Sequence, residues 1–148
     1  TAQQMAETVI SLAQDADVFI GAAAVSDYRV ESPSESKRKK SGKSLDITLI
    51  ENPDVLGLVA AIKRNGQVLV GFAAETDDLL ANAQSKLKKK NLDLIVANEV
   101  NTDKSGFGKD TSKAMLIGSG GKIEDLPLLT KEEVAERILD RVAALLHH

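Results

Sequence analysis

What most restricts the fold of this chain is a rhythm in which short apolar runs alternate with segments of helical spacing. Val18-Phe19-Ile20, Gln67 to Phe72 and Leu92 to Ala97 are short, mainly apolar and bounded by polar or turn-forming residues. Such runs suit strands buried on both faces of a sheet. Around them apolar residues recur every three or four positions. Met5, Val9, Leu12, Ala13 and Ala16 predict a helix over 1–16; Val55, Leu56, Val59 and Ile62 a second; Leu80, Ala83 and Leu87 a third within 77–90. Asn52-Pro53 fits an N-cap followed by the first helical position. Thr130 and Glu133 predict a capping box ahead of Val134, Ile138, Val142 and Leu145. Leu45 to Glu51 alternates apolar and polar residues as a strand does, and Ala114 to Ile117 with Lys122 to Leu126 flank a glycine-rich turn as a hairpin.

The expected fold is α/β: a three-layer sandwich with a Rossmann-like, mostly parallel sheet and an added C-terminal β-hairpin. Ligands of such sheets bind beyond the carboxyl ends of the strands, here near Ala22 to Asp27, Ala73 to Thr76 and Asn98 to Asn101. A length of 148 residues suits one domain, and 43% hydrophobic with 28% charged residues excludes a disordered chain. The absence of cysteine removes disulfides, thiolate metal sites and thiol nucleophiles from consideration. No apolar run approaches the roughly 18 residues of a membrane span, and no leader pattern opens the chain, so a soluble cytoplasmic protein is expected. The abrupt start of a helix at Thr1 suggests excision from a longer chain, and His147-His148 reads as a tag remnant.

The net charge of −3 conceals a strong segregation. Lys37, Arg38, Lys39, Lys40 and Lys43 form one acid-free patch, and Lys86, Lys88, Lys89 and Lys90 a second. With 9 of the 19 cations so placed, the remainder sets 10 cations against 22 acids, a balance of −12. Local attraction of a polyanion follows, whereas general coating of nucleic acid does not, because the acidic remainder repels a phosphate backbone.

Known phosphate motifs are missing. Gly42-Lys43-Ser44 resembles the end of a P-loop, but Lys37 stands where that motif needs glycine. The dinucleotide fingerprint fails twice: Gly106 and Gly108 lead to Thr111 at its last position, and Gly118 and Gly120 to Ile123. A Ser/His/Asp triad is excluded, since both histidines are terminal. Individual residues carry two meanings. Asp27, directly after a small-residue run, is equally a turn residue and a carboxylate able to hold Mg2+ with phosphate oxygens. Residues 31–44 read as a surface loop that is either a solvated charge run or a lid on phosphates. Lys86 and Lys90 share one helix face, where they could clamp a polyphosphate or simply balance the helix dipole. Phe72, at a strand end, is either a core residue or a platform for a base.

Taken in order, AAAVSDYR at 22–29, KRKK at 37–40, ENPDV at 51–55, GFAAET at 71–76, KKKNLDLIVAN at 88–98 and GFG at 106–108 resemble the synthetase domain of the bacterial CTP-dependent phosphopantothenate–cysteine ligases. The resemblance spans nearly the whole chain and implies a nucleotide-binding synthetase domain over 1–146 without the family's N-terminal glycine-rich segment. It implies ligation in two steps in coenzyme A biosynthesis: 4'-phosphopantothenate is activated by CTP as an acyl-cytidylate, and the cysteine amine then displaces CMP. By the same resemblance Ala23 and Ala24 read cytosine through their backbone, and Asp27 serves nucleotide and metal. Lys37 is a catalytic, nucleotide-binding lysine, Pro53, Asp54, Val55 and Leu56 line the nucleotide, Phe72 lies by the base, and Lys86 and Lys90 contact the triphosphate. Mg2+ or Mn2+ with CTP, a homodimer and a fused or associated flavin-dependent decarboxylase half are implied, with no FMN in this chain, no nucleic acid and no membrane. The missing segment is associated with handling the acyl-cytidylate, so the chain is expected to bind nucleotide yet be incomplete for catalysis. The alternatives are a non-catalytic polyanion-binding module and a nicotinamide-dependent reductase of similar fold.

Overall fold

A computed structural model describes residues 1–40, 42, 44–75, 78–99 and 110–147. In chain order the elements are α1 (Ala2–Ala13), β1 (Val18–Gly21), β2 (Tyr28–Val30), β3 (Leu49–Glu51), α2 (Val55–Ala61), β4 (Val68–Glu75) and α3 (Leu79–Lys89). There follow β5 (Leu94–Glu99), β6 (Thr111–Ser112), β7 (Ala114–Gly118), β8 (Ile123–Asp125), β9 (Leu129–Thr130) and α4 (Lys131–Leu146). The three apolar runs become β1, β4 and β5, adjacent parallel strands of a five-stranded sheet ordered β1-β4-β5-β7-β8.

Two expectations about this sheet need correction. It is mixed, not mostly parallel: β1–β4 and β4–β5 are parallel, the expected hairpin forms as antiparallel β7–β8 across a tight turn, and its first strand also runs antiparallel to β5. The strand anticipated over 45–51 is short and lies elsewhere. Only Leu49–Glu51 forms β3, and it pairs with β2 in a separate two-stranded hairpin. β6 and β9 make a second small sheet.

Both faces of the main sheet are covered. On one, Leu69, Ala73, Ile95 and Ala97 pack against Ala13 of α1, Val59 of α2 and Ala83 and Leu87 of α3. On the other, Val70, Leu94, Val96 and Leu116 meet Val134, Ile138 and Val142 of α4. The alternation of the two sets along β4 and β5 follows from the period of two in a strand. Along the helices the expected faces hold for α2 and α4 and shift in α1 and α3. Leu12 and Leu80 are exposed, while Leu79 packs beside Ala83 and Leu87.

Helix ends are set by side chains. The Thr130 hydroxyl accepts from the Glu133 amide and the Glu133 carboxylate accepts from the Thr130 amide, completing the expected box. Thr1 and Gln4 form another on α1. The cap of α2 is Asp54, not Asn52: its carboxylate accepts the Gly57 amide at 3.0 Å, while the Asn52 amide is committed to Ser26. α2 also lies close to the sheet, because a Cβ on Gly71 would stand 2.9 Å from Leu56 Cδ2 and 2.7 Å from Leu92 Cδ1. Glycine at 71 makes that approach possible.

Candidate functional site

β1 ends at Gly21, in register opposite Gly71, while parallel β4 runs on to Glu75, so that Phe72 lies within the strand and not at its expected end. Beyond the end of β1 and beside β4 lies a cleft of about 710 Å3, within the size range of small-ligand pockets. Several separate stretches of the sequence wall it. The segment after β1 supplies Ala22, Ala23, Ser26 and Asp27; the start of α2 supplies Pro53, Asp54, Val55 and Leu56; Phe72 of β4 and Lys86 and Lys90 of α3 close another side. Small residues after β1 leave the backbone there accessible to a ligand, because no bulky side chain shields it.

The cationic wall is well defined. Lys86 and Lys90 are half-buried and face the cleft, whereas Lys88 and Lys89 of the same turn are exposed. Lys86 Nζ donates to the Phe72 carbonyl at 3.1 Å, and Lys90 Nζ donates to Asp54 Oδ1 at 2.8 Å. Lys86 is therefore held by β4 and Lys90 by the N-cap of α2. Burial works to raise the Asp54 pKa, but the Lys90 hydrogen bond, the Gly57 amide and the charges of Lys90 and Lys86 outweigh it and hold the carboxyl below its ordinary value.

Nine of the eleven residues nominated from sequence line this one cleft: Ala23, Asp27, the stretch Pro53 to Leu56, Phe72, Lys86 and Lys90. Ala24 and Lys37 do not. Ala24 is exposed within the same small-residue segment, and Lys37 is exposed in the 31–44 loop outside the cleft. A run of serines and lysines has no apolar side chains to dock it against the sheet. Lys43, Thr76, Asn101 and the Gly106-Phe107-Gly108 motif lie outside the described residues.

Sequence reasoning missed other lining residues. Met5 and Val9 of α1, Phe19 and Tyr28 add apolar surface, and Asn52 stands between two walls. Tyr28-Arg29-Val30 carried a short alternating signal that could have been paired with Leu49-Ile50-Glu51. Helical spacing marked Met5 as inward but could not distinguish a core from a cleft. Among the described residues, no three or more His, Cys, Asp or Glu side chains gather as a metal site, and no helix is long and apolar enough to cross a membrane.

A mixed α/β sheet with a half-apolar, lysine-lined cleft beside its parallel strands defines an α/β protein whose cleft suits a small, negatively charged ligand. Comparison with known sequences specifies which kind. Residues 1–146 match the model of the DNA/pantothenate metabolism flavoprotein C-terminal domain, and the chain belongs to that family. It is 40% identical over 150 residues to the coenzyme A biosynthesis bifunctional protein CoaBC of Vibrio vulnificus (strain CMCP6), covering 100% of this chain and 37% of that protein. With the CoaBC of Bacillus subtilis (strain 168) it shares 39% identity over 145 residues, 98% of this chain and 36% of the relative. The chain thus spans little more than a third of the length of these curated relatives. The crystal structure of the C-terminal domain of a CoaBC protein superposes with a TM-score of 0.79 at 35% identity, covering 99% of this chain and 63% of the other.

Proposed function

We propose that the cleft binds CTP and that the chain is the nucleotide-binding part of a phosphopantothenate–cysteine ligase acting in coenzyme A biosynthesis. The observation that carries this reading is the convergence of Lys86, Lys90, Phe72 and Asp27 on one cleft in a chain of this family. The fold is read as a three-layer, Rossmann-like variant, with the nucleotide across the end of β1 and beside β4. Backbone groups at Ala23 and Ala24 read the cytosine, Phe72 packs by the base, and the Pro53 to Leu56 wall borders the nucleotide.

The chemistry explains the cations. The carboxylate of 4'-phosphopantothenate attacks the α-phosphate of CTP, giving the acyl-cytidylate and pyrophosphate. The cysteine amine then attacks the acyl carbon, CMP leaves, and the nitrogen loses a proton as the amide forms. An anion must approach a polyanion in the first step, and negative charge grows on the departing pyrophosphate. Lys86 and Lys90 offset both. Lys37 acts as a further catalytic cation from its loop.

Asp27 is exposed and carries one carboxylate to the cleft. That fits Mg2+ or Mn2+ arriving with a nucleotide, since such ions are held by one or two carboxylates, phosphate oxygens and water. Bound there, the metal would neutralise phosphate charge. A homodimer is part of the proposal, supported by exposed Tyr28, Val30, Leu45, Ile47 and Leu49 on and beside the β2–β3 hairpin. An associated flavin-dependent decarboxylase half and a cytoplasmic location complete it, with no FMN in this chain.

The test is thermal. CTP with Mg2+ should raise the melting temperature more than equal ATP, GTP or UTP. Equal shifts from all four would leave a generic polyanion site, and a shift with NAD(P)H alone would mark a reductase.

A further inference from the structure

Between the wall carrying Asp27 and the wall carrying Asp54 stands Asn52, with all of its described polar bonds directed at neighbouring chain segments. Its side-chain Nδ2 donates to the Ser26 carbonyl at 2.8 Å, and its backbone N–H donates to the Asp27 carbonyl at 2.7 Å. Its Oδ1 accepts from Arg29 Nη1 at 3.3 Å, and the same guanidinium nitrogen donates to the Glu51 carbonyl. A guanidinium only donates and a carbonyl only accepts, so these neighbours fix which way the amide faces.

The location gives the bonds their meaning. Asp27 and its neighbours Ser26 and Ala24 are exposed, and no strand or helix contains 22–27, so that segment lacks the support of a regular element. β2 and β3 pair Tyr28 with Glu51, and the Asn52–Asp27 bond extends that ladder by one step toward the cleft. On its other side Asn52 leads through Pro53 to Asp54, which holds Lys90. One residue thus ties the backbone at Ser26 and Asp27, from which the Asp27 carboxylate extends, to the wall that holds the Lys90 ammonium.

We infer that Asn52, braced by Arg29, is a positioning residue that sets Asp27 relative to Lys90 and so prepares the cleft for a nucleoside triphosphate with its divalent cation. This rests on the nucleotide reading above. Asn52 acts through Asp27 and does not contact the ligand's phosphates. Asn52→Ala removes the Ser26 and Arg29 bonds but keeps the backbone bond to Asp27. Arg29→Gln leaves the asparagine in place and removes its brace together with the bond to the Glu51 carbonyl.

Titration calorimetry with CTP and Mg2+ on the full chain, alongside urea unfolding, tests the inference. Asn52→Ala should weaken CTP·Mg2+ binding about tenfold and Arg29→Gln about threefold, in the range set by loss of one or two modest hydrogen bonds. In an Asp27→Ala background the further loss from Asn52→Ala should shrink to less than about twofold, a coupling that a merely structural role would not produce. Wild-type affinity in Asn52→Ala, or a full loss that persists in the Asp27→Ala background, overturns the inference alone. Should Asn52→Ala fail to fold, Arg29→Gln with and without Asp27→Ala applies the same criterion. Failure of the unaltered protein to bind CTP overturns the nucleotide reading and this inference with it.

Discussion

Lys90 Nζ lies 2.8 Å from Asp54 Oδ1, and that same oxygen accepts the Gly57 amide at 3.0 Å. One carboxylate oxygen therefore caps the start of α2 and anchors Lys90, the residue that caps the end of α3. The pair is unevenly exposed, with the Lys90 side chain at 18% and that of Asp54 at 57%. Solvent reaches the acid more than the base, so its worth to folding is limited and its position in the cleft is the more informative property.

Removing either cleft lysine should separate binding from stability. Lys86→Ala and Lys90→Ala are each expected to weaken CTP binding about tenfold, as loss of one charge-assisted contact does. Folding stability should fall by no more than about 1 kcal/mol, the usual range for partly exposed pairs. Calorimetric titration beside urea denaturation checks both, and unchanged affinity in both variants would remove the phosphate clamp.

Asp54 makes the protein acid-sensitive in a defined direction. Its folded pKa is lowered from 3.8 because Lys90, the Gly57 amide and Lys86 outweigh the opposing effect of burial. The stabilisation is thus present above the unfolded value and lost as pH falls through the folded one. Asp54→Asn keeps a capping oxygen but no charge. Stability measured by urea between about pH 6 and pH 2 should decline less steeply in this variant than in the wild type; identical slopes would contradict the assignment.

Gly57→Ala tests the cap from the opposite side. Alanine is ordinarily about 1 kcal/mol better than glycine inside a helix. Here its Cβ would sit 2.7 Å from Asp54 Oδ2 and 2.9 Å from Asp54 Cγ, on a side chain already tied by two bonds. Net destabilisation of about 1 kcal/mol is expected from the disturbed cap, with weaker CTP binding. A stabilised variant in urea denaturation would show that Asp54 moves aside freely.

Lys37 is exposed and outside the cleft, so Lys37→Gln should leave the melting temperature unchanged. Turnover in the full-length protein should nevertheless drop, by about tenfold or more if the loop delivers this charge to the reacting phosphates. Wild-type turnover would restrict the basic patch to a solvated surface.

The sequence disclosed the main elements where a local pattern and the tertiary environment agreed. β4 and β5 were readable because strands buried on both faces are apolar over most of their length, β1 because its short run is apolar even at the sheet edge, and α4 because Thr130, Glu133 and its buried stripe all pointed the same way. The shared face of Lys86 and Lys90 followed from helical spacing alone. Asn52 was harder: Asn-Pro is a good local cap signal, but Asp54 two residues later was better placed, and the long-range carbonyl of Ser26 claimed the asparagine. β2 and β3 are three residues each, too short for a period to declare itself, and their pairing spans 19 or more positions of sequence. The mixed direction of the sheet depends on which edge β7 joins, which no local pattern records.

Gly71 gives the cleft a mechanical dependence on an atom that is not there. Leu56 sits in the first turn of α2, two residues after the carboxylate that grips Lys90, and it rests over the bare Cα of Gly71. A methyl group at 71 would act as a wedge under that end of the helix, prising it from the sheet without touching any ligand. The gap between the strands and α2 is therefore a tolerance set deep in the sheet, and a substitution that leaves every lining side chain in place can still spoil the fit.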